Sequence, residues 1–214
     1  MERVGEIVKI ENDKAYIIVP LEKSDIYKFE KQEIKKAIVR FDDGRTISAD
    51  QRAKIYAILG DISEWQYDYM EIVKNTLKNE FLALYGYNYF SLSDCTMTIA
   101  TEFINFLIDF CFLQNIPTRD TMLNRTDDIS HYLYSCLANR KCCICNGKGE
   151  IHHCEGSRVG MGFDRNKIDN IGRSAICLCR KHHNQAHQSE KEFFEKHKVY
   201  GIKLDEYLVR KLKL

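Results

Sequence analysis

Two short stretches carry most of the side chains able to hold a metal or move a proton. They are CCICNGKGEIHHC, residues 142–154, and CLCRKHHNQAH, residues 177–187. One tetrahedral ion needs about four ligands, and these stretches offer more than that. Cys142-x2-Cys145 is a spacing at which a tight turn brings both thiolates to one Zn²⁺ at about 2.3 Å, and NGKG, residues 146–149, supplies the turn. Cys179-x2-His182 is the matching second pair. Together they make a Cys3His site that is closed, hence structural, with Zn²⁺ as its ion. Cys143 and Cys177 lie near enough in sequence to compete for places.

That site leaves His152, His153, His183 and His187 unassigned. On a helix, His183 and His187 are one turn apart and share a face, so they can bind one divalent metal. His152 and His153 end a strand-like stretch, GEIHH, in which neighbours point to opposite sides. One can face a metal while the other faces a substrate. The bland alternative is a zinc domain with incidental surface histidines. It gives no reason for HH and HNQAH to flank the same zinc site.

The order Cys-x2-Cys, His-His, Cys-x2-His-His-x3-His across residues 142–187 closely resembles the HNH nucleases, whose ββα-metal unit is two strands followed by a helix. The resemblance implies phosphodiester hydrolysis that leaves 5′-phosphate ends. By position, His152 and His183 would be the main ligands of a catalytic Mg²⁺ or Mn²⁺ (or Zn²⁺), His187 a third ligand, and His153 the general base. An unperturbed imidazole titrates near pH 6.5 and can take a proton from water at neutral pH. Many HNH sequences carry Asn five residues before the third cysteine, where this chain has Ser174. Asn166, or else Asn170, would then hydrogen-bond the loop that carries the catalytic histidine.

The segment GSRVGMGFDRNK, residues 156–167, joins the two strands, and its Arg158 and Arg165 are placed to contact phosphates. Arg173, Arg180 and Lys181 extend the basic surface. Charge is split along the chain. Residues 1–139 carry a net −6 and residues 140–214 a net +7, so the metal-ligand region is the part attracted to DNA. For any one of these arginines, an ordinary solvated loop is an equal reading.

The elements that must position these residues follow from periodicity. An α+β fold is expected, with a small β-rich module (1–47), a helical middle region (48–139) and a zinc-stabilised ββα-metal domain (140–214). Apolar alternation on both sides of Asn12-Asp13 reads as a hairpin, and a second hairpin turns at Asp43-Gly44, with a short helix between them. Ser48 and Gln51 form a capping box for a helix that buries Ile55, Ile58 and Leu59 and stops near Gly60. A helix over residues 68–84 places Ile72, Val73, Leu77 and Phe81 on one stripe. The strongest helix is capped by Ser93, is apolar from Ile99 to Leu113, and ends before Pro117. Residues 129–138 form a short helix. Ser189 and Glu192 form another capping box ahead of Phe193 and Phe194.

Nine cysteines and no signal-peptide pattern argue for a reducing, cytoplasmic setting, with Cys95, Cys111 and Cys136 as core residues. No apolar run approaches the ~18 residues of a membrane span.

Residues 48–120, with QRAKIYAILGDIS and YFSLSDCTMTIATEFINFLIDFCFLQNIP, resemble phage recombination proteins of the Orf or NinB type. That resemblance implies single-stranded DNA and a host single-strand-binding protein as partners, a homodimer, a role in phage recombination or replication, and the cytoplasm of a bacterial host. Three readings follow: a metal-dependent DNA endonuclease, a non-catalytic DNA-binding mediator with a structural zinc module, and an RNA nuclease. His153 separates the first two, because a binding module needs no base beside the metal.

Overall fold

Asn12 (φ 49°) and Asp13 (φ 59°) both take the left-handed conformation that a two-residue type I′ hairpin requires. They join β1 (Glu6–Glu11) to antiparallel β2 (Lys14–Ile18), with Glu11 opposite Lys14. Helix α1 (Lys23–Gln32) follows. The computed structural model describes residues 5–32, 39, 44–157 and 169–214. These first elements belong to one compact unit, Met1–Phe41, and the second unit is Asp42–Leu214. The second expected hairpin lies largely outside the described residues; Thr46 makes an isolated antiparallel bridge with Thr96.

The second unit opens with α2 (Ala49–Gln66). Its capping box is complete, with Gln51 N donating to Ser48 Oγ and Ser48 N donating to Gln51 Oε1. The helix does not stop at Gly60. A mid-helix glycine costs only about 1 kcal/mol relative to alanine, and the buried Asp61 and Ile62 carry the helix on to a left-handed cap at Tyr67. Helix α3 (Met70–Tyr85) ends on Gly86 at φ 68°, a left-handed glycine cap. It buries Val73, Leu77 and Phe81, whereas Ile72 is 51% exposed and off the stripe.

Helix α4 (Met97–Leu113) is capped by Thr96, whose Oγ1 accepts from Ile99 N, and not by Ser93. The Ser93 carbonyl is taken by the Arg52 guanidinium and Cys95 N closes a turn onto Ser91 O, so the helix starts later. Phe81 is the centre of an aromatic cluster, with Tyr85, Tyr87, Phe90, Phe103 and Phe106 rings at 4.7–5.9 Å. Burying such a ring contributes about 1.5–3 kcal/mol. The connection after α4 contains a short 3₁₀ turn (Met122–Asn124) whose Met122 is fully buried.

Helix α5 (Ile129–Ala138) carries the core onward, its Tyr132, Leu133, Cys136 and Leu137 fully buried. It packs against α4 and against β4 (Ser174–Leu178), the central strand of a three-stranded antiparallel sheet with β3 (Glu150–His153) and β5 (Ile202–Lys203). Four consecutive residues of β4, Ala175–Leu178, are buried, as a central strand covered on both faces requires. Helices α6 (Arg180–Gln188), α7 (Glu190–His197) and α8 (Glu206–Leu212) complete the unit. One continuous core runs from Ile47 to Leu212, so the compositional boundary near residue 139 falls inside a shared hydrophobic interior. Cys95, Cys111 and Cys136 lie in it. Among the described residues, no helix is long and apolar enough to cross a membrane.

Candidate metal centres of the ββα unit

The knuckle at residues 142–149 is shaped by its own backbone. Cys142 N donates to Gly147 O and Asn146 N to Cys142 O, which folds the chain back within five residues. Asn146 sits at φ 57°, a conformation asparagine tolerates better than most residues. Its side chain fixes the knuckle to the helical region, accepting from Met122 N (2.6 Å) and donating to Tyr132 Oη (2.8 Å). Tyr132 in turn donates to Cys143 O (2.7 Å). Gly149 is required for space, because a Cβ there would lie 2.5 Å from Cys177 Sγ and 3.1 Å from Cys142 N.

Cys142, Cys145, Cys179 and His182 place their ligand atoms within 4.8 Å of one another. Cys145 Sγ and Cys179 Sγ are 3.8 Å apart. That is about the sulfur–sulfur edge of a tetrahedron with ~2.3 Å Zn–S bonds. His182 Nδ1 lies 3.3 Å from Cys142 Sγ and 3.2 Å from Cys179 Sγ. The donor set therefore fits Zn²⁺. Cys143 and Cys177 are not in the group; both are fully buried, Cys143 against α5 and Cys177 within β4.

Burial pushes the Cys142 thiol up to about 12, so it does not ionise readily by itself. Burial also opposes ionisation of Cys179, but the backbone N–H of His182, the Cys145 and Cys142 thiols and the Lys181 N–H outweigh it and hold this thiol below its ordinary value. It stands at the start of α6, where such N–H groups converge.

The second cluster is built differently. His152, on β3, and His183 and His187, one turn apart on α6, bring three imidazole nitrogens within 4.8 Å of one another. Their ring centroids are 4.7–4.9 Å apart in all three pairs. His152 is 1% exposed, and its Nε2 lies 2.8 Å from Glu190 Oε2 on α7. Its Nδ1 is buried and makes no hydrogen bond, which leaves that atom for a metal. The Glu150 carboxylate is 3.7 Å from His183 Nδ1.

Burial, reinforced by the neighbouring imidazoles, holds His152 below the ordinary histidine value although Glu190 pulls the other way. Burial and then His187 do the same for His183. Neutral imidazoles are the form that binds metal. Three nitrogen donors suit a first-row transition ion, whereas Mg²⁺ prefers oxygen ligands and keeps more of its water.

His153 follows His152 on β3, pairs with Ala175, and is half-buried. Successive strand residues alternate, so it leaves the strand on the opposite face and is not one of the clustered ligands. The loop after it is held from several sides. Cys154 N donates to Ser174 O, Ser174 N to Ser157 Oγ, and Glu155 N to Glu190 Oε1. Arg173 donates to the carbonyls of Asp169 and Ser157, so its guanidinium fastens both ends of the connecting segment. Arg180, exposed, lies 3.4 Å from Glu150; Lys181 is exposed, and Asn170 is buried. Arg158, Arg165 and Asn166 lie outside the described residues.

Ser189 does not close the expected capping box with Glu192. Its extended backbone forms the bend between α6 and α7, and the next residue, Glu190, is sent back to His152 and the loop. Sequence reasoning missed Glu190, whose contact with His152 spans 38 residues and has no local signature.

Two antiparallel strands and a helix, clamped by a Cys3His knuckle and bearing a second cluster of imidazoles, define the layout of an HNH-type nuclease. The family model described as "Putative HNHc nuclease" matches residues 18–214, and the chain belongs to that family. No curated protein and no solved structure matches it significantly.

Proposed function

We propose that the protein is a metal-dependent DNA endonuclease that hydrolyses phosphodiester bonds. The observation that carries this reading is the group of three imidazoles on β3 and α6, with His153 beside it in the chain. His152 through Nδ1, His183 and His187 would hold a catalytic Mn²⁺ or Mg²⁺, or Zn²⁺; Cys142, Cys145, Cys179 and His182 would hold a structural Zn²⁺. The bound catalytic ion supplies charge stabilisation for the phosphate and for the departing 3′ oxygen.

His153 accepts a proton from water, whose oxygen attacks phosphorus in line with the P–O3′ bond. That bond breaks, and the products are a 5′-phosphate and a 3′-hydroxyl after the leaving oxygen takes up a proton. Glu190 fixes the tautomer and ring direction of His152 and anchors the loop that begins beside His153. The Ser157–Ser174 and Arg173 bonds support the loop further, and Asn166 or Asn170 would add to that task. Arg158, Arg165, Arg180 and Lys181 would meet DNA phosphates, joined by whatever N–H capacity Arg173 retains. A role in phage recombination or replication, in the cytoplasm of a bacterial host and with a host single-strand-binding protein or a second copy as partner, is supported by the Orf/NinB resemblance of residues 48–120.

The test is nicking or cutting of plasmid DNA with Mn²⁺ or Mg²⁺. His153→Ala should lower the rate by about 10²–10⁴-fold, the usual worth of a general base, while DNA binding persists. Wild-type protein that binds DNA but never cuts it, across metals and DNA forms, would refute the endonuclease reading.

A further inference from the structure

Helices α2 and α3 and the segment that leads into α4 line a half-open cavity of about 300 Å³, and none of its lining belongs to the ββα unit. That is the lower end of the ~300–1,000 Å³ range of small-ligand pockets. Its cations are oddly partnered. Arg52 enters from α2 and is fixed by donating Nε to Leu92 O (2.8 Å) and Nη2 to Ser93 O (2.9 Å). Lys78 enters from α3, is only 5% exposed, and donates Nζ to Phe90 O (2.6 Å). Among the described residues, neither forms a salt bridge with a carboxylate. The one acid in the lining, Glu71, is already engaged by Lys74 at 2.7 Å.

Buried lysines are ordinarily paired with an opposite charge. Arg52 meets two carbonyl dipoles, and Lys78 a carbonyl and two aromatic faces; these contacts fix both cations and, beyond the field that Glu71 exerts on Lys78 while paired with Lys74, leave positive charge to be met by an anion. The aromatic component lies beside them. Tyr89 is 79% exposed, and Lys78 Nζ stands 4.3 Å from its ring centroid, so the cation holds the ring while most of its surface stays open. A simple anion has no use for such a ring. A group with both a phosphate and a planar base uses both features.

We propose that this cavity binds a nucleotide, its phosphate on Arg52 and Lys78 and its base against Tyr89. The nucleotide is either free or an unpaired residue of a DNA strand. The site concerns binding alone and stands whether or not the ββα unit cuts.

The experiment uses full-length protein without added Mn²⁺ or Mg²⁺. Binding of a 3′-fluorescein-labelled, 5′-phosphorylated 12-mer is followed by anisotropy across salt concentrations, with dTMP, thymidine and inorganic phosphate as competitors; dTMP is also titrated alone by calorimetry. Tyr89→Ala, at an exposed ring, should weaken binding roughly 5- to 150-fold, the size of one base stack. Lys78→Gln should flatten the dependence of log K on log salt by about 0.7, the share of one phosphate on a single strand. Competition by dTMP, well ahead of thymidine and phosphate, is expected. Calorimetric binding of dTMP abolished in both variants, without an effect on the 12-mer, would assign the site to free nucleotides; effects on both would assign it to strands as well. Folded variants with unchanged affinity and salt slope for the 12-mer, and no dTMP binding to wild type, would overturn the proposal. So would phosphate competing as well as dTMP, which would leave no role for the base.

Discussion

The Cys3His and three-histidine clusters both draw on helix α6, yet they are built differently. The first draws its ligands from a tight turn and from the start of α6, at separations that match a tetrahedral ion. It ties the turn to the start of α6, segments that the Cys143 N–H to Cys177 O bond and the β3–β4 pairing also bring together. The second places imidazoles on finished elements, a paired strand and the body of a helix, and supports them with Glu190 and Glu150. Removing a ligand from the first should undo structure; removing one from the second should undo chemistry and leave structure. On the proposed reading, ligands from a turn and a helix start suit an ion that builds the fold, and ligands from elements already held suit one that serves the reaction.

The largest effect is therefore expected at the clamp. Structural zinc contributes on the order of 10 kcal/mol to small zinc-bound units, so Cys142→Ala or Cys179→Ala should lose zinc and unfold the ββα unit in thermal melts. His183→Ala should melt close to wild type. Next, Glu190→Gln keeps the shape of the side chain but removes the carboxylate that orients His152. Loss of such a partner costs about 10–100-fold in metal affinity or activity, read by Mn²⁺ titration and plasmid nicking. An unchanged titration would show that Glu190 only holds the loop.

Gly149→Ala tests the packing beneath the knuckle. Its Cβ would overlap Cys177 Sγ, an overpacking worth about 1–3 kcal/mol, visible as a lower melting temperature with zinc still bound.

The smallest effect is on pH. His152 and His183 have folded values below that of the unfolded chain, so their contribution to stability is present above about pH 6.5 and is lost as pH falls through the folded values. Metal-free protein should lose stability as pH falls below about 6.5, and the double variant His152→Phe/His183→Phe should lose less.

What the sequence revealed was local. Cys142-x2-Cys145 and Cys179-x2-His182 are spacings imposed by the turn and the helix start, so they can be read without knowing the fold. The same holds for Asn12-Asp13 and for Ser48 with Gln51, where the residues themselves dictate the backbone. What it hid was tertiary. Ser93 looks like a cap, but Arg52, 41 residues earlier, holds its carbonyl in a turn. Ser189 with Glu192 looks like a capping box, but the α6–α7 bend turns Glu190 toward His152 instead. The charge shift near residue 139 says nothing of a core that α5 carries straight across it.

The division between the two clusters is tested most directly by counting bound zinc in purified His183→Ala/His187→Ala protein, alongside its melting temperature. One zinc per chain with a near wild-type melt is the expected result. Loss of the zinc together with collapse of the fold would mean that the two clusters are a single structural site, and the assignment of a separate catalytic centre would be wrong.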